Sequence, residues 1–482
     1  MMGSNEISVK PKPSIEFWVV LVIFFMGLLV RLYHLGAPSL STDELYTEIR
    51  INIPFLDACF FKYSEFPPLH YAILNLWVSA FGNSEWALRF PSAIFSSLTI
   101  IVIYKLGAEL FSKGVGLISA ALLAFSPFAL NYAQDAKMYA MFWFFTAMSF
   151  LFFFRVLKDH SKNFYIFYII SSILCCSTIS TGFLFLMTQS IIFLLFGERT
   201  RWKKWFIGQL SIVSFCVPWV IFFLCFKYGH LNFRLPDATF SYLTFFMESL
   251  AWITGSYICG LGRINCFLFI FLIIYLLIDV LTFSYDNKKV GRPLTNYYCV
   301  FIWLIMPILL YFLFDYFFLR VSLAYRYIGF LQIPLILLVS SRINNFNELI
   351  KKILVSVMIF IAINSTYLYF RDNLKHPQEG WRRTAEELIQ KLKRNDTVLS
   401  FIDLARLRYY FKTDAHRFIK ISKKDCTSEV LIKKGILTQD VHSLFILYRG
   451  QEPVPEIMLN GFYSDYKFWN GGVGFLHFQR TH

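Results

Sequence analysis

The sequence predicts an α-helical, polytopic membrane protein that carries a small α/β domain at its C-terminal end. Three observations lead there. Of the 482 residues, 57% are hydrophobic and 20% aromatic, and the mean hydropathy is +0.53. A water-soluble core needs far less apolar surface than this, and the excess would aggregate. The apolar residues, 56 Phe among them, fall in runs that approach the roughly 20 residues a helix needs to cross a bilayer. From Arg371 onward the chain turns charged, and its apolar residues recur at helix and strand spacing.

Eleven spans are expected, near residues 16–34, 87–110, 115–133, 138–157, 164–180, 182–197, 205–226, 264–284, 296–315, 325–341 and 353–370. The interrupted apolar stretch 240–258 reads as an outer juxtamembrane segment, with a twelfth span as the alternative. Leu69–Phe81 is too short to span and reads as a helix lying in the interface. The chain therefore divides into a membrane unit, 1–370, with a first outer loop at 36–86, and an α/β unit, 371–482. Within the second unit Glu379–Arg394 is amphipathic, with Ala385, Leu388, Ile389 and Leu392 on one face. Thr397–Ile402, Ser443–Tyr448 and Val473–Gln479 read as strands.

The formal net charge of +15 would suggest a nucleic-acid partner in a soluble protein. Here the basic residues occupy short loops: Lys105 and Lys113; Arg155, Lys158 and Lys162; Arg199 to Lys204; Lys288 to Arg292; Arg342, Lys351 and Lys352. Such loops face the cytoplasm. The expected partner is thus the lipid bilayer of the cell's inner (plasma) membrane and not nucleic acid. The N-terminus is expected in the cytoplasm and, with an odd number of spans, the C-terminus outside. The nine cysteines lie mostly in apolar runs and form neither a disulfide framework nor a metal-ligand spacing.

Polar residues gather on the outer side. Asp43-Glu44 follows the first span, and ionised carboxylates at a membrane boundary need a reason. Such an acid can act as general base toward a hydroxyl or hold a divalent cation. Ser41-Thr42-Asp43-Glu44 also has the form of a helix start, with a hydroxyl cap and acids in the first turn. Glu65-Phe66-Pro67-Pro68-Leu69-His70-Tyr71 can open an interfacial helix, with His70 either a ligand contact or a packed residue. Asn131–Tyr139 joins two spans. In it Lys137 can pair with a phosphate as a point charge or simply snorkel beside Asp135, and Tyr139 stands next to both. Arg326-Tyr327 suits recognition of a lipid-linked phosphate, or anchors an aromatic belt. Arg89 repeats that pattern at the start of the second span. Each signal is weak alone, but bases and cations from distant segments converge on one face.

The same residues carry a family resemblance. The acidic pair, the Pro67-Pro68-Leu69 helix, Ser84–Ala93, Leu106–Phe111, Ser126-Pro127-Phe128 and Gln134–Ala140 together resemble the GT-C glycosyltransferases of the family 39 type. These are the bacterial relatives of protein O-mannosyltransferases and of aminoarabinose transferases. The match runs continuously over about residues 15–155, with weaker landmarks at Arg326-Tyr327, Pro334 and Gly380-Trp381-Arg382. The resemblance implies a polyprenyl-phosphate sugar donor and an inverting transfer outside the membrane. It implies Asp43 as catalytic base with Glu44 as companion, and donor phosphate held at Lys137 and Arg326, with Tyr327 and Arg89 beside them. Asp135, His70 and Tyr139 would touch donor or acceptor. The acceptor is a glycan, lipid or protein. No cofactor is required, and a divalent metal is compatible with the acids. Two departures stand out. Relatives often carry His before Pro-Pro where this chain has Phe66, and many carry Arg where it has Lys137, which cannot make a bidentate contact. The rival readings are a transporter of lipid-linked glycans, disfavoured because the polar residues gather at one interface and not at mid-membrane, and a ligase using a diphosphate-linked oligosaccharide.

Overall fold

The computed structural model describes residues 14–59, 67–159, 161–230, 293–314, 329–375, 380–393, 396–401, 409–411, 417–422, 426–437, 441–449, 459, 462–470 and 473–480. The expected span 264–284, the juxtamembrane stretch 240–258 and the pair Arg326-Tyr327 lie outside these residues.

Helix α1 (Ile15–Leu32) begins where Ser14 accepts a hydrogen bond from the Phe17 amide. It turns Phe17, Trp18, Val22, Phe25 and Leu29 outward, as a helix bathed in lipid does. The outer loop follows as α2 (Thr42–Ile51), α3 (Phe55–Cys59) and α4 (Leu69–Phe81). The bundle continues through α5 (Glu85–Leu110), α6 (Lys113–Ala124), α7 (Pro127–Ala133), α8 (Tyr139–Lys158), α9 (Lys162–Thr178), α10 (Gly182–Phe196), α11 (Trp202–His230), α12 (Pro293–Phe314), α13 (Gln332–Asn344) and α14 (Glu348–Lys375). Among the described residues five helices, α1, α5, α8, α12 and α14, contain a stretch long and apolar enough to cross a membrane. The stretches expected at 164–180, 182–197 and 325–341 form the shorter helices α9, α10 and α13, and 205–226 lies within α11.

The third expected span, 115–133, is not one straight helix. It breaks between α6 and α7, which meet at 59°. The cause is local: Ser126 caps α7 by accepting from the Ala129 amide at 3.2 Å, and Pro127 follows at the first helical position. Pro suits a helix start and cannot donate into a preceding turn.

Helices α5 and α6 cross at closest range over two glycines. A Cβ on Gly107 would stand 2.8 Å from the Gly116 Cα, and one on Gly116 would stand 2.5 Å from the Tyr104 carbonyl oxygen. In lipid, where no water drives helices together, such small-residue contacts let backbones meet. Behind them α8 supplies an aromatic layer in which Phe150 stacks on Trp303 with centroids 3.8 Å apart.

The bundle has two unlike ends. At one, the loop cations are paired: Lys113 with Glu16 at 2.6 Å, and Arg155 with Glu109. At the other lie α2, α4, the turn between α7 and α8, and a five-stranded sheet. The sheet is built from β1 (Thr397–Ser400), β2 (Arg417–Lys420), β3 (Ser443–Arg449), β4 (Phe462–Asn470) and β5 (Val473–Arg480), in the order β2-β1-β3-β5-β4. β1 runs parallel to β2 and β3, while β5 is antiparallel to β3 and β4. Helix α15 (Trp381–Lys391) covers one face and α16 (Ser428–Lys433) adjoins the core of the other. The face of α15 that packs is Trp381, Thr384, Ala385 and Leu388, while Ile389 is 38% exposed. The buried stripe thus keeps Ala385 and Leu388, with Leu392 packed beside them, extends back to Trp381 and leaves Ile389 at its edge. The α15 face of the sheet shares its core with Leu40, Leu45, Tyr71 and Leu74 of the outer loop, so the sheet is packed onto that loop.

A Gly107→Val substitution is expected to destabilise the protein by about 1–3 kcal/mol or more, through overpacking against the α6 backbone. Thermal unfolding of the detergent-solubilised variant checks this, and an unchanged midpoint would refute the close crossing.

Candidate active site

The site grows from the start of α2. Ser41 and Glu44 form a reciprocal cap: the Ser41 hydroxyl accepts from the Glu44 amide at 3.2 Å, and the Glu44 carboxylate accepts from the Ser41 amide at 2.8 Å. This arrangement satisfies two of the amides that every helix start leaves unpaired. It also swings the Glu44 side chain back into the protein, where it is 3% exposed.

There Arg89, from the first turns of α5, meets it in a two-pronged ion pair, Nε to Oε1 at 2.7 Å and Nη2 to Oε2 at 2.8 Å. The Ala136 amide donates to Oε1 at 2.9 Å. Burial works against ionisation of Glu44, but Arg89 and these amides hold its carboxyl below the usual value. The remaining N–H groups of Arg89 go to the carbonyls of Leu35 at 3.1 Å, Pro38 at 2.8 Å and Ser39 at 2.9 Å. All five guanidinium donors are thus consumed inside the protein. Glu44, expected as companion to the base, and Arg89, expected beside the donor phosphate, fix the loop to α5 and to the α7–α8 turn in this structure.

Asp43 is placed differently. It stands in the first turn of α2 and is exposed. Its charge is felt by Tyr71 and by Asp135, so the acid from α2, the interfacial-type helix α4 and the α7–α8 turn do converge. Lys137 is 7% exposed, with Nζ 5.9 Å from the centroid of the Tyr46 ring, one turn along α2 from Asp43. The turn is held by Ser92, whose hydroxyl donates to the Lys137 carbonyl at 3.2 Å, and by Gln134, whose amide donates to the carbonyls of Arg31 and Tyr33. Asp135 keeps a partial opening to solvent, but protein walls its carboxyl. Burial and then the negative charge of Glu44 push its pKa up to about 8 against the pull of Lys137 and Arg89.

His70 of α4 is 1% exposed, and neither ring nitrogen makes a well-formed hydrogen bond. The Ala136 carbonyl lies near enough only to favour the charged form slightly. Burial, and then the charges of Lys137 and Arg50, depress its pKa to about 3. It is a neutral imidazole beside Lys137. Tyr139 is 4% exposed and meets Tyr132 edge-on at 5.2 Å, within an aromatic stack that includes Phe128 and Trp143. Arg326 and Tyr327 lie outside the described residues. Among the described residues no group of three or more His, Cys, Asp or Glu gathers as a metal site would require.

Sequence reasoning missed three arginines here. Arg31, 0% exposed at the end of α1, donates to Ser96 and to the carbonyls of Gly27, Leu123 and Ala124, tying α1 to the α6–α7 break. Arg50 of α2 lies over the Tyr71 ring at 3.6 Å. Arg382, seen only as a landmark, reaches from α15 to Glu85 and to the outer loop. Arg31 and Arg50 are lone basic residues beside apolar stretches and Arg382 is one of an adjacent pair, and sequence spacing gives none of them a partner.

Two predictions test this geometry. Arg89→Met, which leaves Glu44 buried without its counter-charge, is expected to destabilise the protein by about 3–5 kcal/mol, read as a loss of thermal stability in detergent. His70 binds its proton less well folded than unfolded, so its contribution to stability is present above the ordinary His pKa near 6.5 and is lost as pH falls toward about 3. The stability difference between wild type and His70→Leu should shift against the wild type through that window. Parallel pH curves would show that His70 is not desolvated.

The comparisons with known proteins agree with this architecture. Residues 65–222 match the family model described as dolichyl-phosphate-mannose-protein mannosyltransferase, a stretch that holds His70, Arg89, Asp135 and Lys137. No curated protein matches the sequence significantly. Among solved structures, ArnT from Cupriavidus metallidurans in the apo state superposes with a TM-score of 0.63 at 12% identity, covering 96% of this chain and 98% of that one. The same protein bound to undecaprenyl phosphate gives 0.62 at 13% identity, with the same coverage. The apo oligosaccharyltransferase of Archaeoglobus fulgidus gives 0.50 at 12% identity, covering 91% of this chain and 70% of that one. With its apolar helices and its small sheet domain, the chain is a multi-pass membrane protein of the GT-C glycosyltransferase fold.

Proposed function

We propose that this protein transfers a sugar from a polyprenyl-phosphate-linked donor to the hydroxyl of a glycan, lipid or protein acceptor, on the extracytoplasmic side of the inner membrane, with inversion at the anomeric carbon. The observation that carries this reading is the division of labour in the acid pair. Glu44 is locked to Arg89, while its neighbour Asp43 projects from a rigid helix start into solvent beside the α7–α8 turn. A base that must accept a proton from a substrate hydroxyl needs that combination of a fixed backbone and an accessible carboxylate.

In the reaction the acceptor oxygen attacks the anomeric carbon from the face opposite the phosphate. The carbon–oxygen bond to the phosphate breaks, its electron pair leaves with the polyprenyl phosphate, and Asp43 takes the hydroxyl proton. A phosphate ester is a good leaving group and needs little proton donation. Lys137 and Arg326 neutralise its charge as it develops. His70, kept neutral by burial and by its cationic neighbours, adds no charge to compete with Lys137. The fold shared with a protein that binds undecaprenyl phosphate, together with the family-model match, favours a monophosphate polyprenyl donor.

Asp43→Asn is expected to lower transfer by at least roughly 100-fold while leaving expression and thermal stability intact, measured with labelled donor and purified protein in detergent. Full activity in that variant would sink the assignment. Lys137→Met is expected to weaken donor binding by roughly tenfold or more, read as a raised KM for the donor. Transfer that persists in EDTA would show that the reaction needs no divalent cation.

A further inference from the structure

Five consecutive carbonyls of the loop that leads into α2 are held by two arginines from different parts of the chain. Arg89 of α5 takes those of Leu35, Pro38 and Ser39. Arg382 of α15 takes the two between: Nη1 donates to the Ala37 carbonyl at 3.1 Å, and Nη2 to the Gly36 carbonyl at 3.1 Å. The Arg382 amide donates to the Ser39 hydroxyl at 3.2 Å. The same guanidinium pairs with Glu85 of α5 through Nη2 at 2.6 Å and Nε at 3.2 Å. Glu85 stands four residues before Arg89, so one face of the first turns of α5 carries both ends of the clasp. Tyr410 closes it, accepting from the Leu40 amide at 2.6 Å and donating to Glu85 at 3.3 Å, while Tyr409 donates to the Asn83 carbonyl at 3.0 Å. Trp381, 1% exposed, pins the start of α15 next to Arg382.

We infer that Arg382 is a positioning residue for the transfer reaction: by gripping the Gly36–Ser39 strap and Glu85, the C-terminal domain sets where α2 begins and so where Asp43 presents its carboxylate. The backbone chemistry explains why two arginines are needed. Five successive carbonyls turned toward protein have no strand or helix N–H groups donating to them, and each one left dry would be an unsatisfied acceptor. A guanidinium supplies several donors in one plane, and the two forks interleave along the strap. Arg382 acts on the strap itself, so its effect on Asp43 passes through the loop. The strap ends at Ser41, whose cap on Glu44 fixes the first turn of α2 and the direction of Asp43.

The inference rests on the proposed role of Asp43, and the test separates the two. Full-length wild type, Arg382→Ala, Arg382→Lys, Glu85→Gln and the control Arg383→Ala, an exposed neighbour, are purified in detergent. Hydrogen exchange of peptides spanning residues 35–50 is measured beside transfer from a polyprenyl-phosphate sugar. Arg382→Ala and Glu85→Gln are expected to speed exchange in 35–50 without altering α6 and α8, and to lower kcat by roughly 10- to 100-fold, as a misplacement near 1 Å does, with the donor KM unchanged. Arg382→Lys, which keeps the charge and loses the fork, should recover only part of kcat, and Arg383→Ala should match wild type. If Arg382→Ala does not fold, Glu85→Gln, which removes only the counter-charge, supplies the same two readouts. Unchanged exchange in 35–50 would overturn the clasp, and faster exchange with unchanged kcat, or a changed KM alone, would overturn its role in positioning. If the wild type transfers no sugar, the proposed function fails while the exchange data still decide whether the domain holds the loop.

Discussion

A carboxylate withdrawn from water at the top of a helical bundle costs several kcal/mol unless it is paired and fully hydrogen-bonded, and Glu44 is both. Its two oxygens accept from both prongs of Arg89, from the Ser41 amide and from the Ala136 amide. Those four donors belong to three segments: the first turn of the outer loop, the start of α5 and the turn between α7 and α8. The pair is therefore a joint at which three stretches of chain meet, and neither partner can move without stranding the other's charge. Because Arg89 spends its remaining donors on the Leu35–Ser39 strap, the joint also fixes how the chain leaves α1. The ion pair thus ties α2, the strap, α5 and the α7–α8 turn to one another.

That joint orders the electrostatics around it. Burial, and then the field of the ionised Glu44, raise the Asp135 carboxyl to about 8. Burial first, and then the charges of Lys137 and Arg50, keep the His70 imidazole neutral. Near neutral pH the enclosed part of the site then carries the Glu44–Arg89 pair, a proton on Asp135, a neutral His70 and the Lys137 charge. A phosphate arriving at such a surface meets positive charge with little buried negative charge to repel it. The basic loops at the opposite end of the bundle are paired with Glu16 and Glu109 instead.

Much of this was legible in the sequence because it depends on local chemistry. The α4 run Leu69–Phe81 is bounded by Pro67-Pro68 and Gly82, and the structure gives those same limits. The hydroxyl and acids of Ser41–Glu44 announced a helix start, which the structure completes as a capping box, and β1, β3 and β5 follow from dense β-branched and aromatic runs. What escaped depends on tertiary pairing. The break at Ser126 was hidden because the run 115–133 is apolar throughout, and hydropathy does not register a cap. β2 and β4 escaped because Arg417–Lys420 is a four-residue strand and Phe462–Asn470 carries polar residues along an exposed edge. Arg89 read as a phosphate ligand because an arginine at a membrane boundary has the same signature whether it meets lipid or an internal carboxylate. Only the location of Glu44 distinguishes the two.

The adjacency of Asp43 and Glu44 explains why the two acids divide their work. Successive residues of an α-helix project about 100° apart, so with Glu44 and Leu45 both turned inward Asp43 falls on the open side of α2. Once the capping box turns Glu44 inward, the helix geometry sends Asp43 toward the open side, and burial of Leu45 on the core of the outer loop fixes that rotation. The clasp from the C-terminal domain secures the strap just before this turn, while Arg89 secures the strap and Glu44 together. An acid able to accept a proton from a substrate must stay in contact with water and still be held in place. On the proposed assignment the holding is done by its neighbour, whose own charge is cancelled by Arg89, so Asp43 is anchored by a partner that does not compete with it for the proton.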